Sequence, residues 1–557
     1  MSRKLSPHAF TTFWNVHAWA GVVGGLLLYL MFLTGGITLF HEQLAVWEEP
    51  LAQQRSAAGE ASAGEASVGE RSLEATLARG LSAMGSVPEE LWFYPPKNGL
   101  GVAKLRYFSP GKDTSLWIHD GLTPERERLS EFLFRLHYLW HELTGLWLYY
   151  LAGVLAVTLL LALVTGVLIH LKDLVQQFHQ FRLDKARRVL WSDMHKVLGV
   201  MGLPFQLMYA YTGALIVLGA LLVQAFTGPV FGGDSARAER VAWGVPFTQE
   251  AELGAFAPGL SLDELMARAR VVEPQLVPET FRLRHHGRSS GSVDIRGAIG
   301  GVPFGQGLVR LRATDGVVLH LDSPRNDGTR GKVTRWIYGL HFAHFGGITL
   351  RVLFFVLALG TCATILTGNW IWLARREGRR EGLGNRILAR LTAGFGSGTL
   401  VAIAALFLVS RVIPLNLLGR TKAEELTFFV TLGLCIAWAL AARDGKSLWW
   451  RQLGLAGLLL LPVPVLAARW SDAGLFGAGQ KLGAVVAIDV ALLLVAAALC
   501  ASAWALRRVA LRQSLQQRTK DDPPASLDQT FAGLTAEGAP AGVPGRGTPI
   551  AVRSVHD

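Results

Sequence analysis

The residues LHYLWHELTGLW at 136–147, an apolar run ending in TGVLIHLK at 165–172, and WSDMHKVLGV at 191–200 decide the fold. Together they read as one membrane crossing with histidines at both ends, followed by the start of the next crossing with another. Imidazole is the commonest protein ligand for transition metals and serves haem iron as well. An ionisable group at or inside a bilayer is a functional-site hypothesis by default.

Working outward, half of the 557 residues are hydrophobic and only 17% are charged, the balance of an integral membrane protein rather than a soluble one. Apolar windows of about 20 residues, enough to cross the hydrocarbon core, predict eight spans. Four lie at 13–41, 137–171, 196–223 and 339–374, and four more fall within 393–506. The net charge of +12 does not call for a nucleic-acid partner, because the basic residues flank the spans. They precede the first span at 1–12, fill the connector at 172–195, separate the fourth from the fifth and the sixth from the seventh, and begin the tail at 507–557. The positive-inside rule then predicts both termini cytoplasmic and two long loops, at 42–136 and 224–338, on the outer side. The first span is too long, and too poor in a small-residue cleavage site, for a removable signal peptide. Cys362, Cys435 and Cys500 all lie in apolar spans and read as packing residues.

The chain repeats itself. His17 in the first span and His195 at the start of the third each stand seventeen residues before a Thr-Gly pair, Thr34-Gly35 and Thr212-Gly213. Leu136-His137 with His141 precede the second span, which ends in Thr165-Gly166. Leu340-His341 with His344 precede the fourth, which ends in Thr367-Gly368. The glycines predict close helix approach. Each loop between paired spans reads as a small α+β module: a helical pattern at 73–84 or 260–271, then strands, with Asp120-Gly121 and Asp315-Gly316 as turns. An Ala/Gly/Ser/Glu-rich stretch after Glu48 reads as a linker, and the Pro/Gly-rich end as a disordered tail. The predicted fold class is a mainly α membrane protein of about eight transmembrane helices, whose core is a duplicated helix, α+β module, helix unit.

With these motifs, and FHQFR at 178–182 and WIYGLHFAHFGG at 336–347, the chain resembles the PepSY-associated transmembrane family over roughly residues 10 to 380. That family includes inner-membrane ferric-siderophore reductases. The resemblance implies an envelope oxidoreductase that holds b-type haem and reduces iron chelates delivered to the periplasm. The four helices after residue 390 lie outside the family's core pattern.

The histidines fall into two clusters: His17, His170 and His195 at the cytoplasmic end, and His137, His141, His341 and His344 at the outer end. A helix from His141 to His170 would rise roughly 43 Å, too far for one centre, so two b-type haems are expected. At the inner site the pattern favours His170 with His17 or His195; at the outer, one of His137 and His141 with one of His341 and His344. The expected partners are the lipid bilayer, a ferric siderophore or other ferric chelate, and a quinol or separate protein as electron donor, since no cytoplasmic segment is long enough for a flavin or nicotinamide domain. Three rivals remain: a non-catalytic PepSY peptide-binding protein that regulates a peptidase, a haem reductase acting on cupric ion, and a transporter. For the last, Asp489 is the one acidic residue clearly inside an appended span.

Overall fold

The computed structural model describes residues 6–49, 72–84, 88–95, 103–109, 112–118, 122–124, 129–139, 145–170, 182, 187–243, 254–302, 304–326, 328–343, 345–376, 382–414, 417, 419–442, 445–478 and 483–521. Outside them lie the linker after Glu48, most of the basic connector, the Asp120-Gly121 turn, the C-terminal tail, and two of the expected ligands, His141 and His344.

The first helix, α1 (Pro7–Thr38), begins where Ser6 caps Ala9 N–H at 3.2 Å with Pro7 in the first turn. It leads into the short α2 (His41–Glu48), then α3 (Leu73–Met84), strands β1 (Glu90–Tyr94), β2 (Ala103–Ser109), β3 (Lys112–Ile118) and β4 (Leu122–Pro124), and α4 (Leu129–His137). The chain crosses back in α5 (Leu146–His170). The second copy follows: α6 (Arg187–Met201), α7 (Leu203–Phe231), α8 (Ser235–Trp243), α9 (Leu262–Val272), β5 (Leu276–Arg284), β6 (Ser292–Ile299), β7 (Gln306–Arg312), β8 (Val318–Asp322), α10 (Thr329–Phe342) and α11 (Gly347–Ala374). Then come α12 (Leu383–Val412), α13 (Arg420–Ala441), α14 (Gly445–Leu460), α15 (Val463–Ala467) and α16 (Gly483–Asp521). Eight helical segments among the described residues are long and apolar enough to cross a membrane, as the hydropathy windows predict, and the protein is a multi-pass membrane protein. The chain divides into two units, 1–503 and 504–557; in the second, Arg508 lies 3.4 Å over the ring of Trp504.

Three crossings predicted as continuous helices are broken. The third crossing starts a new helix after Gly202, which leaves room for the Gln206 amide against the turn before it. The second and fourth are each preceded by a separate short helix, α4 or α10, closed by a residue in the left-handed region, Leu139 at φ 57° and Ala343 at φ 54°. These short helices end in the two histidines that matter most below.

The two α+β modules are not separate. Their strands form one antiparallel sheet in the order β4-β3-β2-β1-β5-β6-β7-β8, joined where β1 pairs with β5. The β7–β8 hairpin turns at Gly316, φ 69°, as its Asp-Gly pair predicts. One face buries Leu91, Phe93, Leu105, Phe281, Leu283, Ile295, Val309 and Leu311 under α3 and α9, in a single core spanning both modules. The two helices cap each other. Asp263 accepts from the Leu73 and Glu74 amides at 2.9 and 3.2 Å, and Glu74 accepts from the Leu262 amide at 2.8 Å. Each carboxylate thus satisfies amides that the other helix's first turn leaves without a partner.

The membrane core is built from α1, α5, α6 with α7, and α11, in which α1 packs on both α5 and α11. The appended helices join it through buried polar contacts. Tyr29 donates to Gly396 O at 2.8 Å, and Asn369 to Thr392 at 3.2 Å. Asp489 is fully buried and accepts from Trp47 Nε1 at 2.9 Å and from the Leu475 amide at 2.8 Å. The one intramembrane acid that the transporter rival drew upon is therefore engaged in a structural tie between α16 and α2. These helices also grip α4: Arg135 pairs with Glu425 at 3.2 Å, and Phe132 packs edge-on against Phe428 and Phe429.

Candidate functional site

Four histidines sit in four equivalent seats, each on the Thr-Gly pair of the span that partners its own. His17 on α1 lies against Gly166 of α5, and its Nδ1–H donates to Ala162 O at 2.8 Å. His137, at the end of α4, lies against Gly35 of α1 and donates to Met31 O at 2.7 Å. His195 on α6 lies against Gly368 of α11 and donates to Thr364 O at 2.9 Å. His341, at the end of α10, lies near Gly213 of α7 and donates instead to Thr212 Oγ1 at 2.9 Å.

The carbonyls accepting from His17, His137 and His195 lie four residues before the glycine. A side chain at the glycine would cover that carbonyl, so the missing Cβ is what lets an imidazole reach the helix backbone. A Cβ there would stand 2.6 Å from the His137 ring, 3.0 Å from His17, 3.2 Å from His195 and 3.5 Å from His341. The threonines complete the seat. Thr34, Thr165, Thr212 and Thr367 each donate to the carbonyl four residues back, so the Thr212 hydroxyl has its proton engaged and can only accept from His341. Since a carbonyl oxygen cannot donate, Nδ1 carries the proton in each seated ring. In the neutral imidazole the lone pair is then at Nε2, the orientation typical of metal-ligating histidine.

The seats bring the rings together in two pairs. His17 and His195, the repeat-related pair, have centroids 6.0 Å apart, and His137 and His341 have centroids 6.2 Å apart. Two imidazoles on opposite sides of one metal ion, each nitrogen about 2 Å from it, place their ring centres roughly 6 Å apart. The carbonyl acceptors Met31 and Ala162 mark the two levels, and His17 and Met31 are fourteen residues apart on α1, roughly 21 Å along its axis. Two separate sites result, at the sheet end and at the opposite end. His170, which the sequence pattern favours as a ligand at the latter, stands within electrostatic range of His195. The ring pair described there is His17 with His195.

The sheet-end pair lines a cavity of about 380 Å³, within the usual size of cofactor pockets. Its walls include Met31, Phe32, Phe134, Tyr138, Tyr149 and Tyr209, and the Tyr209 ring is 5.0 Å from that of His341. Beside it, Glu131 of α4 is 3.5 Å from His41, whose hydrogen bond holds the Glu131 carboxyl below its ordinary value. The helix bearing His341 is fastened to the sheet. Arg335 bonds Asp322 at 2.5 Å and also Gln306 O, and the ring of Phe304, itself at φ 57°, fills the notch left by Gly339. A Cβ on Gly339 would fall 1.9 Å from Phe304 Cδ1.

Among the described residues, no group of three or more His, Cys, Asp or Glu is placed to hold a metal ion. Two imidazoles per site, set at the sheet end against apolar and aromatic walls, suit a metal whose remaining ligands arrive with it.

The chain belongs to the PepSY-associated TM region family, whose profile matches residues 14–375. All four seats lie in that range; α12 to α16 do not. The chain is also similar to Uncharacterized protein PA4219 of Pseudomonas aeruginosa, 31% identical over 369 residues that make up 65% of this chain and 91% of the relative.

Proposed function

We propose that the protein is a di-haem reductase of the bacterial inner membrane that delivers electrons to ferric chelates, ferric siderophores among them, on the periplasmic side, which we take to be the sheet end. The observation that carries this reading is the pair of neighbouring imidazoles, each held at a Thr-Gly pair, at each end of the four-helix core. His17 and His195 would hold one b-type haem, and His137 and His341 the other. Bis-imidazole haem supplies a one-electron ferric/ferrous couple, with a potential set by its ligands and surroundings.

This chain's own residues do the rest. The backbone and hydroxyl acceptors fix each ring's tautomer and rotation, so little reorganisation accompanies a change of charge nearby. The apolar walls exclude water. One electron reduces one ferric ion, and a quinol releases two electrons and two protons, so a quinol donor would serve two ferric ions; a separate electron-carrier protein would serve as well. Siderophores bind ferrous iron far more weakly than ferric, so reduction would release the metal.

The test is to reduce the purified protein chemically, remove the reductant, and add ferric chelate with a ferrous-specific chromophore. Stoichiometric ferrous iron and reoxidation of the protein are expected. Reoxidation by cupric ion but by no ferric chelate would reassign the acceptor, and no reaction with either would end the reductase reading.

A further inference from the structure

The two histidines of the sheet-end site are carried by helices with different attachments. α10, which ends in His341, is fastened to the sheet through Arg335 and Phe304. α4, which ends in His137, is fastened to the appended helices. It presents two faces. Phe134 and His137, one turn apart, line the cavity with Tyr138 just beyond. Phe132 and Arg135, also one turn apart, meet α13 instead.

Three contacts make this attachment. Phe132 and Phe428 are both buried and stand edge-on with centroids 5.5 Å apart, and Phe429 is 5.9 Å from Phe132 on the same terms. The Arg135 guanidinium bonds Glu425 Oε1 at 3.2 Å, with both side chains largely buried. At the start of α4, the Ser130 amide donates to Glu48 Oε1 at 2.9 Å. Glu48 closes α2, and its neighbour Trp47 is locked among the appended helices: its Nε1–H donates to Asp489 of α16, its ring is 5.7 Å from that of Phe407 of α12, and the Arg411 guanidinium lies 4.1 Å over it. With only nine residues, α4 is too short to be a stable helix by itself, so its direction follows what holds it.

We infer that the appended helices position the His137 ring and, through the Arg135 and Glu425 pair, set the potential of the sheet-end haem, leaving the His17 and His195 site untouched. The inference rests on the haem reading above; the attachment of α4 rests on the structure alone. Arg135 and Glu425 are positioning residues, away from the cavity face of α4, yet their charges act beyond contact. A reduced haem holds one more electron than an oxidised one, so a nearby positive charge favours the reduced form and a negative charge opposes it. Burial leaves little water to screen either.

The experiment is a redox titration of the full-length, haem-loaded protein in detergent. Each haem is followed by its own optical component and by electron paramagnetic resonance, which reads the angle between the axial imidazole planes. These planes stand 40° apart for His137 and His341 and 78° apart for His17 and His195, so the two signals should be distinct. Glu425→Gln should raise the sheet-end potential by at least threefold in the ferric/ferrous equilibrium, about 28 mV on a scale of about 59 mV per tenfold. Arg135→Gln should lower it by as much, and the double variant, in which the charge changes cancel, should lie between them with its resonance signal still altered. Phe428→Leu, which changes no charge, should alter the sheet-end signal also. The opposite haem should keep its potential and signal throughout, which also shows that the variants fold. A sheet-end haem that matches the parent's in all four variants would overturn the inference; so would equal changes at both haems, or shifts of one sign in the two single variants. Should Glu425→Gln, which takes this carboxylate from Arg135, fail to accumulate, the double variant and Phe428→Leu decide by their resonance signals. Folded protein without haem would sink the reductase reading and this inference together, whereas two haems indifferent to these variants would sink this inference alone.

Discussion

Replacing Gly35 with alanine tests the seat at its tightest point. The new methyl would stand 2.6 Å from His137 Nδ1 and Cε1, and ordinary contact requires at least 3.4 Å. A ring retreating directly by the missing distance, about 0.8 Å, stretches its 2.7 Å bond to Met31 O to roughly 3.5 Å, the limit of a hydrogen bond. The loss of that bond costs about 1 kcal/mol, and alanine returns about 0.5–1 kcal/mol through better helix propensity, so global stability should hardly change. Ligand orientation should suffer far more, since removing an outer hydrogen bond to a metal-binding histidine typically costs about 10- to 100-fold in affinity. Gly213→Ala at the other half of the same site meets His341 at 3.5 Å and should retain full occupancy. Gly166→Ala and Gly368→Ala, at 3.0 and 3.2 Å from His17 and His195, should weaken the opposite site to an intermediate degree. Haem per chain from pyridine haemochromes, read beside the melting temperature, gives the series. A Gly35→Ala protein with the same haem content as Gly213→Ala would refute the seat as the determinant of ligation.

Single alanine variants should separate the sites: His17→Ala and His195→Ala should remove one and the same optical component, and His137→Ala and His341→Ala the other, as low-temperature spectra would show. Asp489→Ala leaves Trp47 Nε1 and the Leu475 amide buried without this acceptor, at about 1–3 kcal/mol for each donor; thermal unfolding in detergent should show the loss, and Asp489→Asn, whose one carbonyl oxygen can accept from only one of the two donors while its NH2 meets the other, should recover at most part of it. At Asp263, burial alone would raise the carboxyl's pKa, but hydrogen bonds from Ser72, Leu73 and Glu74 prevail and lower it. Its contribution is therefore complete above about pH 4, the unfolded value, and fades as the pH falls through the lowered folded value. Asp263→Ala should cost about 0.5–2 kcal/mol at pH 7, and its difference from the parent in thermal unfolding should narrow below pH 4.

Hydropathy and the repeat made the eight crossings and the duplicated core legible, because span length and a seventeen-residue register survive without any knowledge of packing. The seventeen-residue register singled out His17 and His195, and the correspondence of the second and fourth spans added His137 with His141 and His341 with His344. Which ring meets which glycine was not legible, since a seat depends on which helix lies opposite. The Thr-Gly pairs were visible as points of close approach, yet what approaches Gly35, Gly166 and Gly368 is a histidine ring rather than a helix. One observation held the cue: each Thr-Gly belongs to the span that partners a histidine-bearing one. The fusion of the two modules into one sheet was out of reach, because β1 and β5 are almost 200 residues apart and alternation within a strand says nothing of its neighbour.

The most direct measurement is a reduced-minus-oxidised spectrum of detergent-purified protein made with ample haem, with the haem quantified per chain. The account predicts two b-type haems with bis-imidazole spectra. Protein that folds, with the sheet and the helical core intact, yet carries no haem would contradict it.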